Sequence, residues 1–494
     1  MISISNTNHW LSEQATMQPN NKAIITSGKA LTYSEFHEEC FNALNYFAHL
    51  GIKEKDHVGI LFGHNYKFFV IVNALWLLGA VPVPLNTRLL SEELKIQVEQ
   101  TDIKFLLIDE SLSKQFSQLI FSKKIYLSGI SELGAQNYRN EILTHKFSII
   151  NSALIMFTSG SSGRSKAVVH TFESLFESVK STDSFADLSA NDIWFASLPL
   201  YHIGGFMILA RSLVAGSSVI FPSSLKFEDI KQTIKQSNPT HISLVSTTLQ
   251  KFLAEKVYPN KNLKYAFLGG GPSEKQLILD AVNQGLPIVK VYGSTETCSM
   301  ITALHPNEIK EKLESAGKVL DENKIKIKSM NKSDPDGFIN IGEVGEIIVS
   351  AKSLFKEYYN DQESTSQSIQ NGWFYSGDFG WIDKDGYLFV ESRREDLIIT
   401  GGENVSAHEV ETAIKSHQSV KDAFVFALQD KAWGQIVCAA IVSNDFGEDE
   451  IKDFLKAKIA AYKIPKRFFF MKKIPRNELG KVTRAVILKQ LNLD

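Results

Sequence analysis

The sequence predicts an α/β protein in two parts: a large, multi-subdomain N-terminal domain of layered sheets and helices, and a small α+β C-terminal domain. Three observations carry this expectation. Short β-rich runs alternate with helical patterns through most of the chain, as in layered, largely parallel sheets. From about Gly342 the texture changes to antiparallel hairpin material. A charged run, Ser392-Arg393-Arg394-Glu395-Asp396, then separates two apolar strands, and the residues beyond it suffice for a small independent domain. The expected domains are residues 1–392 and 393–494.

Taken in order, Val58-Gly59-Ile60-Leu61-Phe62 reads as a buried strand followed by a helix from Lys67 to Leu78. The apolar run Ile71 to Gly79, continuing to Pro84, is too short and interrupted for a membrane span, so a buried helix is the better reading. Phe105 to Ile108 and Ile242 to Val245 read as further strands, the second leading into a helix from Thr248 to Glu255. Val344 to Val349, and Trp381-Ile382 with Tyr387 to Val390 around Asp385-Gly386, have hairpin character. Beyond the charged run, Ala423 to Ala427 and Val437 to Val442 read as strands. Ser406 and Glu409 have capping-box spacing ahead of a helix whose buried face carries Val410 and Ile414.

Composition narrows the function. The 494 residues have the apolar and charged fractions of an ordinary globular protein and a net charge of −2. With no long basic run, nucleic acid is not an expected partner. Cys40, Cys298 and Cys438 follow no zinc or disulfide spacing, which suits a reducing cytoplasm, and the first residues lack the pattern of a secretory signal.

The most informative stretch is Thr158-Ser159-Gly160-Ser161-Ser162-Gly163-Arg164-Ser165-Lys166, entered from the apolar Ala153 to Phe157. Glycines, hydroxyls and a terminal lysine can aim donors at phosphate oxygens. A mobile Ser/Gly surface loop is the bland alternative. Ala167 after Lys166 excludes the common Gly-Lys-Ser/Thr nucleotide loop. Four more clusters accompany the loop: Gly269-Gly270-Gly271-Pro272 after an apolar strand, Tyr292-Gly293-Ser294-Thr295-Glu296, Ser376-Gly377-Asp378, and Pro475-Arg476 ahead of Gly480-Lys481.

Together these segments resemble the adenylate-forming enzymes: acyl-CoA synthetases, peptide-synthetase adenylation domains and firefly-type luciferases. The resemblance covers nearly the whole chain. It departs at Arg164-Ser165-Lys166-Ala167, where the family usually has Lys-Pro-Lys-Gly, and at Glu395, where it usually has Asp or Lys. It implies that the loop Thr158, Ser159, Gly160, Ser161, Ser162, Gly163 and Lys166 holds ATP phosphates, and that Gly269, Gly270, Gly271, Pro272 and Tyr292 enclose adenine. Gly293, Ser294 and Thr295 join the nucleotide site. Asp378 accepts from the ribose hydroxyls, Arg393 reaches the ribose side, and Glu296 with Thr158 holds Mg²⁺. Without the resemblance, Glu296 would read as a helix-start carboxylate. His202 is expected beside the acid site, with a core histidine as the alternative.

By the same resemblance the small domain is mobile, pivots at Glu395, and carries Lys481 for adenylation and Gly401, Gly402, Glu403 and Lys463 for CoA. The implied reaction is ATP-dependent acyl-CoA formation through an acyl-adenylate, with Lys481, His202, Glu296 and Lys166 as catalytic residues. The substrates are a small carboxylic acid, ATP and CoA, and a homodimer is left open. Segments 198–202 and 241–249 look most like the o-succinylbenzoate–CoA ligases of menaquinone synthesis, with Ser246 where those commonly have proline. Such an acid keeps a second carboxylate, for which His202, Thr248 and Ser299 are the candidate partners. A medium- or long-chain fatty acid, an aryl acid, or transfer to a carrier protein are the competing readings.

Overall fold

The computed structural model describes residues 8–127, 146–158, 165–257, 261–271, 273–329, 341–392, 397–443, 447–475, 482 and 484–493. A nine-stranded sheet forms the centre of the large domain. Its inner strands, Ile193–Phe195, His241–Leu244, Tyr265–Leu268 and Ile288–Ser294, run parallel and are joined through helices. A second sheet is wholly parallel and contains Val81–Pro84, His57–Leu61, Phe105–Asp109 and Lys124–Leu127. The strands expected at Val58 and Phe105 both lie in it.

The helix Lys67–Leu78 has the bounds the sequence predicts, and every side chain after Lys67 is buried. An apolar surface all round a helix requires packing on all sides. Here Trp76 meets Trp10, Phe172 and Phe206 edge-on, at centroid distances of 5.8, 5.2 and 6.0 Å. Among the described residues, no helix is long and apolar enough to cross a membrane.

The antiparallel material also stands where expected. Gly345–Ser350 pairs with Trp373–Ile382, which pairs in turn with Leu388–Ser392 across the Asp385-Gly386 turn. The small domain is one mixed sheet, containing Leu397–Thr400, Glu403–Ser406, Val420–Asp430, Gly434–Ser443 and Arg467–Phe470, with helices on it. The capping box at Ser406 is only half formed. Ser406 Oγ accepts from Glu409 N, but the Glu409 carboxylate is drawn to Lys463 instead of returning to the cap. A buried ammonium attracts a carboxylate more strongly than a backbone amide does.

Candidate active site

Two strands flank the segment expected to hold phosphates. Ser152–Thr158 pairs antiparallel with Lys166–Thr171, and the register sets Thr158 opposite Lys166. Residues Ser159 to Gly163 lie outside the described residues, as do Pro272, Arg393, Glu395 and Lys481. Thr158 and Lys166 both line a cavity of about 530 Å³ that also takes in Gly269, Gly270, Gly293 to Glu296 and Asp378. Gly271 borders a small adjoining cleft with Ile399. A larger cavity, lined by His9, Trp76 and Phe147, contains none of the predicted residues.

Glu296 sits in a turn held from several directions. His170 Nε2 lies 2.8 Å from the Thr295 carbonyl, and burial pushes that imidazole down to about 4, so it is neutral and donates there. Thr297 Oγ1 accepts from Ser294 N at 2.7 Å. Gly293 has no room for a side chain, since a Cβ would fall 1.8 Å from the Ser299 carbonyl oxygen. The Glu296 carboxylate accepts from the Tyr358 hydroxyl at 3.0 Å, and the Lys166 ammonium lies 4.5 Å from the centre of the same ring. Thr158 and Glu296 supply hard oxygen donors, which suit Mg²⁺ completed by substrate phosphates.

Asp378 Oδ2 accepts from the Tyr292 hydroxyl at 2.8 Å. This differs from the stacking role the resemblance implies for Tyr292. Its ring is buried among Ile301, Ile347 and Val349, and its hydroxyl orients Asp378 from behind.

On the acid side, His202, Thr248 and Ser299 line the same cavity. Beside them is a residue not anticipated from sequence, Arg211, on the apolar helix Ile203–Ala215. Its side chain is buried; Nε donates to Thr182 Oγ1 at 3.2 Å and Nη2 to Ser299 Oγ at 3.1 Å. The guanidinium also lies 5.5 Å from the Trp194 ring centre. Burial lowers its pKa to about 10, which leaves it charged at neutral pH. Among the described residues, no carboxylate forms an ion pair with it. The available signal was a lone charge inside the run Phe206 to Val214.

The small domain reaches this cavity through a two-residue turn. Thr400 pairs with Glu403, and Gly401 and Gly402 both have left-handed φ, +59° and +85°, as a tight I′-type hairpin requires. The turn delivers Glu403, whose side chain is 3 % exposed, to the large domain. There it accepts from Arg88 Nη1 at 2.9 Å and approaches His202 Nε2 at 3.1 Å. Burial alone would raise its pKa, but His202 and Arg88 outweigh burial and hold it down to about 2.

Lys463 is not at the cavity. It is buried between Glu93 of the large domain and Glu409 of the small one, 2.6 Å from each. Burial disfavours its charge, yet the two carboxylates keep its pKa above the usual value. In this arrangement Lys463 bridges the domains. Lys466 instead covers the partly exposed Trp433 ring at 3.9 Å, beside the small cleft.

The gathered groups suit one reaction class. The cavity is lined by Thr158, Lys166 and Glu296, by the buried cation Arg211, and by a glycine turn from a second domain. Residues 11–359 match the family described as AMP-binding enzyme, and residues 409–481 its C-terminal domain. A curated 2-succinylbenzoate–CoA ligase from Geobacillus sp. (strain WCH70) is 34 % identical over 490 residues, covering 98 % of this chain and 97 % of that protein. The o-succinylbenzoate CoA synthetase of Bacillus subtilis is similar in structure. A double mutant bound to a product analogue gives a TM-score of 0.90 at 33 % identity, covering 97 % of each chain. Its complex with ATP and magnesium gives 0.74 at the same identity, covering 97 % of this chain and 98 % of that one. Sequence, fold and site agree, and the chain belongs to the AMP-binding enzyme family.

Proposed function

We propose that this chain is an ATP-dependent, AMP-forming acid–CoA ligase that converts o-succinylbenzoate to o-succinylbenzoyl-CoA, a step of menaquinone synthesis. The observation that carries the acid assignment is Arg211. A buried cation facing a substrate cavity needs an anionic partner. A fatty acid or simple aryl acid has one carboxylate, which must lie at the nucleotide; a dicarboxylic acid brings a second. The relatives named as 2-succinylbenzoate–CoA ligases support the same choice.

In the first step the reacting carboxylate attacks the α-phosphorus of ATP, pyrophosphate leaves, and an acyl-adenylate forms. The reactants are both anionic, so positioned donors and cations must lower the barrier. Lys166 and Thr158 face the phosphates, and Lys481 is assigned to the reacting carboxylate and α-phosphate. Thr158 and Glu296 would hold the magnesium ion, which neutralises phosphate charge when bound. Asp378, oriented by Tyr292, accepts from the ribose hydroxyls, and Arg393 is assigned to the same side.

In the second step the CoA thiol attacks the acyl carbonyl and AMP leaves. We read the present arrangement of domains as the one for this step. Gly401, Gly402 and Glu403 line the cavity in it, and the better superposition on the product-analogue complex supports the reading. A swing about Glu395 would exchange that turn for Lys481; this is gating by domain motion. We place the chain in the cytoplasm, where its three buried free thiols would stay reduced.

The test is pyrophosphate release across a panel of acids, with and without CoA. o-Succinylbenzoate should lead, and CoA should convert its adenylate to thioester. A clear preference for octanoate or benzoate would overturn the acid assignment; product only with a carrier protein would overturn the acceptor.

A further inference from the structure

Tyr358 belongs to none of the motifs that identify the site, yet two of its features meet there. Its hydroxyl donates to Glu296 Oε1 at 3.0 Å, and its ring face lies 4.5 Å from the Lys166 ammonium. The backbone around it is stitched to the same two elements. Glu357–Tyr358 pairs antiparallel with Lys166–Thr171, Tyr359 N donates to the Ala167 carbonyl at 2.8 Å, and Phe355 N donates to the Glu296 carbonyl at 2.8 Å. The ring is 3 % exposed and packs on Phe355 at 4.6 Å, so it cannot reorient without disturbing its core.

We infer that Tyr358 is a positioning residue for adenylation, fixing the Glu296 carboxylate and the Lys166 ammonium relative to each other. The chemistry suits both partners. A neutral hydroxyl occupies one carboxylate oxygen without neutralising the group and leaves acceptor capacity on the other. An aromatic face steadies an ammonium through its quadrupole while leaving the positive charge available to a phosphate. The hairpin lysine and the carboxylate come from distant parts of the sequence, and Tyr358 spans them. The inference rests on the reading that Glu296 holds the metal and Lys166 a phosphate.

Tyr358→Phe keeps the ring and removes only the donor. The full-length variant should bind Mn²⁺ in the presence of ATP about tenfold more weakly by electron paramagnetic resonance, the scale of one hydrogen bond to a charged group. Adenylate formation should slow by a similar factor, while thioester formation from supplied acyl-adenylate stays within about twofold of wild type. Tyr358→Leu, which also removes the ring, should weaken ATP binding further. Unchanged Mn²⁺ affinity in Tyr358→Phe, or an equal loss in both half-reactions, would overturn the inference. Glu296→Gln separates the two levels. If it weakens Mn²⁺ binding and Tyr358→Phe does not, only the role of Tyr358 fails; if neither does, the metal assignment fails with it.

Discussion

Replacing Arg211 with methionine should turn a selective site into an indifferent one. In the free protein the guanidinium is buried and, among the described residues, hydrogen-bonds to the hydroxyls of Thr182 and Ser299. Exchanging a buried charge for an apolar chain of similar reach is commonly neutral or stabilising. Thr182 keeps its own donation to the Ser178 carbonyl at 3.0 Å, so no hydroxyl proton is orphaned there. The melting temperature should therefore hold or rise. With a dicarboxylic substrate bound, the same exchange strands a buried carboxylate, a loss of about 2–5 kcal/mol for such pairs. Taking about 3 kcal/mol, kcat/KM for o-succinylbenzoate should fall roughly 100- to 200-fold. An analogue with hydrogen in place of the second carboxylate should change little, so the two substrates should converge. The assay is steady-state AMP formation with each acid, beside a thermal melt. Equal losses for both acids, or a collapse in melting temperature, would refute the reasoning and make Arg211 a structural residue.

Other consequences concern the two half-reactions and acid stability. Lys481→Ala should abolish adenylate formation and spare thioester formation from supplied adenylate; equal loss of both would contradict the proposed exchange of Lys481 for the glycine turn between the two steps. Glu403→Gln should do the reverse. It removes the charge that joins Arg88 and His202 across the domains, and thioester formation from supplied adenylate should fall about tenfold or more while pyrophosphate release is retained. Burial holds His64 and His170 down to about 4. The unfolded chain therefore binds more protons between about pH 4 and 6.5, and stability should fall as pH drops through that window. The loss is up to about 2 kcal/mol per histidine at pH 5. A melting temperature flat from pH 7 to 5 would show that these imidazoles are not held neutral.

Much of this was legible in local pattern. The apolar run Ala153 to Phe157 lies in the strand Ser152–Thr158, which pairs antiparallel with Lys166–Thr171. The tight Gly401-Gly402 turn likewise follows from residues that alone tolerate its backbone. What escaped depends on neighbours distant in sequence. Lys463 sits in a motif assigned to CoA, but its buried partner Glu93 lies on another domain, and only their packing makes it a bridge. The resemblance implies an adenine contact for Tyr292, and the packing of its ring on Ile347, Val349 and Leu388 depends on a sheet distant in sequence. Arg211 was overlooked in an apolar helix, although a lone charge there is itself a signal, since burial must be compensated. Tyr358 left no local trace, because its meaning arises from strand pairing.

The most direct test follows an oxygen atom. Supply o-succinylbenzoate labelled with ¹⁸O in its carboxylates, together with Mg-ATP and CoA, and weigh the products by mass spectrometry. Attack on the α-phosphorus followed by thiolysis leaves one carboxylate oxygen on AMP, so labelled AMP should accumulate in step with the thioester. Label in inorganic phosphate with ADP as the nucleotide product, or unlabelled AMP, would contradict the account.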